Sequence, residues 1–255
     1  MSFPYLDARR PRAFAHRGCA EGCAENSFEA VARAVDMGFG YVETDVQATR
    51  DGVAVLFHDD TTDRLLGTPG RIADRDWADW ARTGLAGGGG LARLDTVLDA
   101  FPGLRLNIDA KTDDVVGPMA RAIADARATD RVCAASFDIR RTRALRERLG
   151  PRLCWSPAMG GVAALWAWGW GVAAPGETAP CYQVPLRWKG IPLVTRRVVA
   201  AAHARGAEIH VWTVDDPAEM TRLLDLGVDG LMTDRPRILI DALSRRGAWH
   251  RKPQG

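Results

Sequence analysis

Short β-like runs alternate with longer stretches of helical periodicity along almost the whole chain, and this alternation restricts the fold more than any other feature. Strands are expected at 13–17, 41–47, 104–110, 132–136, 153–156, 181–184, 208–214 and 230–233. Helices are expected at 26–37, 94–101, 115–127, 139–149, 161–170, 195–205, 217–226 and 236–245. In 26–37, for example, Phe28, Val31, Ala34 and Val35 recur at core-facing intervals before Gly38 ends the run. A further helix is expected at 74–82, and a short strand at 53–58 follows the turn Asp51-Gly52. Strands that are each followed by a helix form parallel sheets. Eight such units point to an α/β fold, the closed (β/α)8 TIM barrel, with a doubly wound open sheet as the alternative. The reading is a single domain over 1–255, core about 13–245, with 53–58 as a small accessory insertion after the second strand.

Charge narrows the partners. The chain has 34 Lys and Arg against 32 Asp and Glu, a net charge of +2, without the basic bias of a nucleic-acid binder. Arg245, Arg246, Arg251 and Lys252 read as a solvated tail. The most apolar stretch, 162–174, is too short for a transmembrane segment and is interrupted by glycine. Residues 1–12 lack the apolar segment of a secretion signal, so a cytoplasmic location is expected. The five cysteines show no zinc spacing and are read as reduced thiols, a Cys19–Cys23 disulfide being the lesser alternative. The run Gly87 to Gly90 reads as a flexible loop rather than a phosphate loop.

In a barrel, the carboxyl ends of the strands build the active site. The first strand ends in His16-Arg17-Gly18, where arginine offers a planar fork to phosphate and glycine permits a sharp turn. The second ends in Glu43-Thr44-Asp45, with two carboxylates on one face. The next ends in Asp109-Ala110-Lys111, adding a third carboxylate and an amine. Gathered carboxylates repel unless a cation lies between them, and their hard oxygens suit Mg²⁺, Ca²⁺ or Mn²⁺. The accessory run ends in His58-Asp59, a second histidine with an acid placed to orient it, and Trp212 could wall an organic group. His210 reads as a core residue, His203 as a surface residue and His250 as part of the tail. Trp166, Trp168 and Trp170 read as a helix end packed on the barrel, or alternatively as an apolar lip for lipid chains.

These pieces in this order resemble the glycerophosphodiester phosphodiesterase family. The matching segments include Ala15-His16-Arg17-Gly18, Glu25-Asn26-Ser27, Glu43-Thr44-Asp45-Val46, Thr49-Arg50-Asp51-Gly52, His58-Asp59, Asn107-Ile108-Asp109-Ala110-Lys111, Val211-Trp212-Thr213-Val214 and Gly230-Leu231-Met232-Thr233-Asp234-Arg235-Pro236. The resemblance implies a barrel, one divalent cation and hydrolysis of a small glycerophosphodiester to glycerol 3-phosphate and an alcohol. It implies His16 and His58 as the acid/base pair, Glu43, Asp45 and Asp109 as metal ligands, and Arg17 and Lys111 as phosphate contacts. Asp109 departs from the family's usual Glu, one methylene longer, and Ser27 stands where Thr is common. The implied chemistry runs through a cyclic phosphate. Two alternatives stay open: a hydrolase of lysophospholipids in transient contact with lipid, and a non-catalytic barrel binding a phosphate ligand. The sequence does not choose between monomer and homo-oligomer.

Overall fold

The computed structural model describes residues 3–251. Eight parallel strands follow the expected outline: β1 (Arg12–His16), β2 (Tyr41–Ala48), β3 (Arg105–Ala110), β4 (Val132–Ala135), β5 (Cys154–Trp155), β6 (Cys181–Pro185), β7 (Glu208–Trp212) and β8 (Gly230–Thr233). Each is followed by a helix: α1 (Phe28–Asp36), α2 (Leu94–Ala100), α3 (Val116–Asp125), α4 (Ile139–Leu149), α5 (Met159–Gly169), α6 (Arg196–His203), α7 (Pro217–Leu226) and α8 (Pro236–Ser244). The strand order is β5-β4-β3-β2-β1-β8-β7-β6. The sheet therefore curls into a nearly closed (β/α)8 barrel, and the open-sheet alternative falls away. Its seam lies between β5 and β6, which share no backbone ladder among the described residues. Side chains cross it instead: the Gln183 N–H donates to the Ser156 hydroxyl at 2.9 Å.

Strand alternation sorts the core into two compartments. Ala13 and Ala15 of β1, Val42 and Val46 of β2, and Leu106 and Ile108 of β3 pack outward against the helices. Phe14, Tyr41, Cys133, Cys154, Cys181 and Met232 fill the interior. The floor is closed by Tyr5 from the turn Pro4–Leu6, whose carbonyl accepts the Tyr41 hydroxyl at 2.7 Å. Beside it the buried Arg12 guanidinium is paired with Glu208 at 2.7 Å, which offsets the cost of removing a charge from water. A Cβ at Gly230 would stand 2.9 Å from both Phe14 and His210, so only glycine leaves room for those rings.

Local signals set the helix ends. Ser27 accepts the Ala30 N–H at 3.1 Å and starts α1, and Thr195 and Asp216 cap α6 and α7 in the same way. Gly227, with φ 85°, ends α7 in the left-handed region.

The insertion after β2 is larger than the sequence reading allowed. Residues 49–93 carry an antiparallel strand, Ala54–Leu56, paired with β2, and two short helices, Asp63–Leu66 and Trp77–Trp80. They enclose a hydrophobic cluster of their own around Val55, Phe57, Leu66, Ile72 and Trp80. The helix expected at 74–82 is broken, because side chains bind the backbone locally and compete with helical bonds. Asp74 accepts the Arg71 N–H at 2.7 Å, Arg75 is extended, and Asp51 accepts the Trp77 N–H at 2.9 Å.

The carboxyl-terminal segment also differs from expectation. It docks instead of fraying: the Trp249 ring lies 5.1 Å from Phe39, Arg246 pairs with Asp225 at 2.7 Å, and the Arg251 guanidinium donates to the Asp36 carbonyl. Lys252 lies outside the described residues. Trp166 and Trp168 pack against the core from the end of α5, whereas Trp170 is 48% exposed. Among the described residues no helix is long and apolar enough to cross a membrane.

Candidate active site

All eight residues singled out from the sequence line one pocket at the carboxyl ends of the strands: His16, Arg17, Glu43, Asp45, His58, Asp109, Lys111 and Trp212. The parallel register explains the acidic part. Asp45 of β2 stands beside Asp109 of β3, and Glu43 stands beside His16 of β1. All three acids therefore project inward at the same end.

Each histidine is tied to a carboxylate. His16 Nδ1 lies 2.7 Å from Asp234 Oδ1, and the Asp234 N–H donates to Asp215 at 2.8 Å, fixing that loop. His58 Nδ1 lies 2.8 Å from Asp59 Oδ1. A carboxylate at Nδ1 sets the tautomer and leaves Nε2 as the nitrogen available to a ligand. The orientation expected of Asp59 is thus present. Asp59 is in turn gripped by Arg64 at 2.6 and 2.9 Å, Arg64 reaches Glu25 at 2.6 Å, and Glu25 holds Arg17 at 2.8 Å. A chain of ion pairs therefore links the insertion carrying His58 to the loop after β1.

That loop is strained at two positions. Arg17 and Asn26, neither of them glycine, sit at φ 56° and 54°. Such residues cost about 1–3 kcal/mol each and persist only where their surroundings hold them. Here the Arg17 N–H donates to Glu43 at 3.2 Å, and the Asn26 amide donates to Asp45 at 3.0 Å while accepting from Thr44 at 2.7 Å. Gly18 makes the turn possible: a Cβ there would lie 2.6 Å from the Ala30 backbone of α1.

The acids are unequally compensated. Burial, reinforced by the charge of Asp45, pushes Glu43 up to about 8. Burial also raises Asp109 to about 6, with Lys111 opposing. Asp45 is held below the usual carboxylate range: its burial is outweighed by Lys111 at 3.3 Å and Arg17 at 3.2 Å. Lys111 also reaches Asp109 at 3.2 Å, but only through Oδ2, and Asp109 Oδ1 is buried without a hydrogen-bond partner. An orphaned buried oxygen beside an acid held in its protonated form is a strain that a hard divalent cation would relieve. The tightest grouping of acidic and imidazole donor atoms among the described residues is Glu25, His58 and Asp59, within 4.8 Å of one another. Arg64 and Arg17 already hold those two carboxylates. The oxygens of Glu43, Asp45 and Asp109 do not all come within 4.8 Å of one another, and Lys111 stands between Asp45 and Asp109.

One side of the pocket is apolar. Phe137, Pro157, Met159 and Val162 face the acids, and Phe137 meets the Trp212 ring edge-on at 6.0 Å. Met159 and Val162 belong to the first turn of α5, so the apolar wall sits at the end of this helix opposite to its tryptophans. His210 is fully buried, with Nε2 3.0 Å from Glu208, as expected of a core histidine. His203 is exposed, as expected of a surface residue, and binds Asp229 at 2.8 Å.

Sequence reasoning missed Arg64, which sits in an aperiodic insertion and matches no motif. It also missed the pairing of Asp234 with His16, although both stood at strand ends that the strand order makes neighbours.

The model of the glycerophosphoryl diester phosphodiesterase family matches residues 16–238. A Mycobacterium tuberculosis protein named "Probable glycerophosphodiester phosphodiesterase 2" is 38% identical over 248 residues, spanning 93% of this chain and 92% of its own. A glycerophosphodiester phosphodiesterase of Caldanaerobacter subterraneus subsp. tengcongensis is 28% identical over 91% of this chain and 98% of its own. A solved phosphodiesterase of Oleispira antarctica, in complex with the product sn-glycerol-3-phosphate, superposes with a TM-score of 0.78 over 92% of this chain and 97% of its own. At 18% identity that likeness speaks for the fold.

Proposed function

The chain belongs to the glycerophosphoryl diester phosphodiesterase family and is a phosphoric diester hydrolase, and from this premise we propose how its own residues do the work. The substrate is a small glycerophosphodiester, cleaved to glycerol 3-phosphate and an alcohol. The observation that carries the reading is the pair of aspartate-tethered imidazoles, His16 and His58, on one pocket with three acids and two cations.

Arg17 and Lys111 draw in the anionic phosphate. As Lys111 turns to the phosphate it leaves Asp45 and Asp109, whose oxygens with Glu43 would hold a divalent cation, Mg²⁺ or Ca²⁺ with Mn²⁺ as a third choice. When bound, that cation neutralises phosphate charge and acidifies the neighbouring glycerol hydroxyl. The 2-hydroxyl of the glycerol attacks the phosphorus, one imidazole takes its proton, and the other protonates the leaving alcohol. The cyclic phosphate so formed is opened by water with the roles reversed. Holding nucleophile and phosphorus in one molecule gives the first step its entropic advantage. Phe137, Met159 and Trp212 provide a dry wall for the departing alcohol.

The test is release of glycerol 3-phosphate from glycerophosphocholine. His16→Ala and His58→Ala should each reduce turnover by about 10²–10⁴-fold, and EDTA should abolish it until a divalent cation is restored. Unchanged turnover in either variant overturns the two-histidine scheme. A substrate lacking the 2-hydroxyl should not be cleaved; its hydrolysis at the normal rate removes the cyclic phosphate. The apolar wall favours a second reading, in which a lysophospholipid is the substrate. Preference for lysophosphatidylcholine over glycerophosphocholine would select it.

A further inference from the structure

Three of the five cysteines, unremarkable in sequence spacing, converge inside the barrel. Cys133, Cys154 and Cys181 occupy inward positions of β4, β5 and β6, each fully buried. Cys133 and Cys181 sulfurs are 3.6 Å apart, Cys154 and Cys181 3.8 Å, and all three lie within 4.8 Å of one another. None of them lines the catalytic pocket. They stand one layer below it, two residues before Ala135, Ser156 and Gln183, which do.

We propose that this cluster is a second metal site, in which three thiolates hold one soft, closed-shell cation, Zn²⁺ or Cu⁺. The spacing supports it. Zinc–sulfur bonds of about 2.3 Å set tetrahedral sulfur edges of about 3.8 Å, so the sulfurs need little movement to close on an ion. The donors are soft and wholly sulfur, whereas the pocket above offers oxygens, so the two sites take different classes of cation.

A neighbouring histidine completes the surroundings. His210 on β7 is fully buried and gives Nε2 to Glu208 at 3.0 Å, the carboxylate contact that orients metal-binding imidazoles. Its Nδ1 faces the Gln183 amide at 3.3 Å, and that amide lies 3.9 Å from the Cys181 sulfur. His210 lies outside the 4.8 Å sulfur grouping, so for zinc the Gln183 amide would have to swing aside and the imidazole move in to supply Nδ1 as a fourth donor. Without that shift the site is a three-sulfur one, which suits Cu⁺.

The position gives the ion a task. The barrel's seam runs between β5 and β6, where no backbone ladder crosses among the described residues. The contacts there are the Gln183–Ser156 hydrogen bond and the thiol cluster itself, with the Cys181 thiol 3.7 Å from the Trp155 carbonyl. An ion bound to Cys154 and Cys181 would join the two strand edges that the sheet leaves unjoined.

The experiment uses the full chain produced in zinc- and copper-supplemented media, dialysed against EDTA and analysed for metal. One zinc or copper per chain is expected in the wild type and in Cys19→Ser/Cys23→Ser, and none in Cys181→Ser. X-ray absorption at the edge of the retained metal should find three sulfur neighbours, with a nitrogen joining for zinc and none for copper. As a control against misfolding of Cys181→Ser, the wild type is also unfolded, stripped and refolded with Cd²⁺. A cadmium–thiolate charge-transfer band that survives EDTA is expected. A wild type that isolates without soft metal and refolds without that band overturns the proposal. So does retained metal with only oxygen and nitrogen neighbours.

Discussion

Replacing Glu43 by Gln should stabilise the metal-free protein while removing its activity, and the size of the effect follows from the site. Glu43 is 6% exposed, and burial with the charge of Asp45 lifts it from 4.5 to about 8. Between those values the folded chain keeps a proton that the unfolded chain has released, so stability falls as pH rises. Each pH unit in that window costs about 1.4 kcal/mol, so raising the pH from 5 to 7 should remove about 2–3 kcal/mol. For a chain of this size that is a fall in Tm of about 5–10 °C. Glutamine carries no titrating proton, so its profile should lose the part of the fall due to Glu43, keep the smaller part due to Asp109, and lie above wild type at pH 7. A divalent cation at 100 times its Kd should return about 2.7 kcal/mol to the wild type and much less to the variant. Thermal unfolding in EDTA from pH 5 to pH 8, repeated with Mg²⁺, reads all of this. Parallel pH profiles for the two proteins, or equal gains from Mg²⁺, would refute the argument that Glu43 is an uncompensated acid awaiting a cation.

The other expectations concern the supports of the site. Arg64→Gln removes the grip that pulls Asp59 down to about 2, so His58 loses its anchor; kcat should fall by up to about 10²-fold with KM little changed. A change in KM alone would assign Arg64 to substrate binding. Asp234→Asn should lower the pKa of His16: burial depresses it, and Glu43 and Asp234 raise it. The His16 limb of the pH–rate profile should then move to lower pH; a stationary limb would detach it from His16. Trp80→Ala empties the centre of the insertion's cluster, where the ring is 1% exposed, and should cost about 3–5 kcal/mol in chemical denaturation. A loss below 1 kcal/mol would mean that the insertion is not held by its own core.

The barrel was legible because its outer faces must be continuously apolar and its strands short. Val42, Val46, Leu106 and Ile108 satisfy that demand in plain view. The convergence of the candidate site was legible for a related reason: Glu43, Asp45, Asp109 and Lys111 are polar where a core strand should not be, and the barrel brings them to one pocket. The insertion was not legible. Leu66, Ile72, Trp80 and Leu91 carry neither a period of two nor one of 3.6, and their packing depends on turns set by Asp51 and Asp74. The cysteine cluster escaped because metal spacings are sought within single turns, whereas these thiols lie on successive strands and meet only when the sheet curls. The docking of Trp249 on Phe39 likewise depends on tertiary contact that no local pattern records.

The most direct test is a crystal soaked with Mn²⁺ and sn-glycerol 3-phosphate, with anomalous scattering locating the metal. The expected result is a peak among the oxygens of Glu43, Asp45 and Asp109, with the phosphate between His16 and His58 and against Arg17 and Lys111. A peak at another place on the molecule, or a phosphate bound out of reach of both imidazoles, would contradict the account.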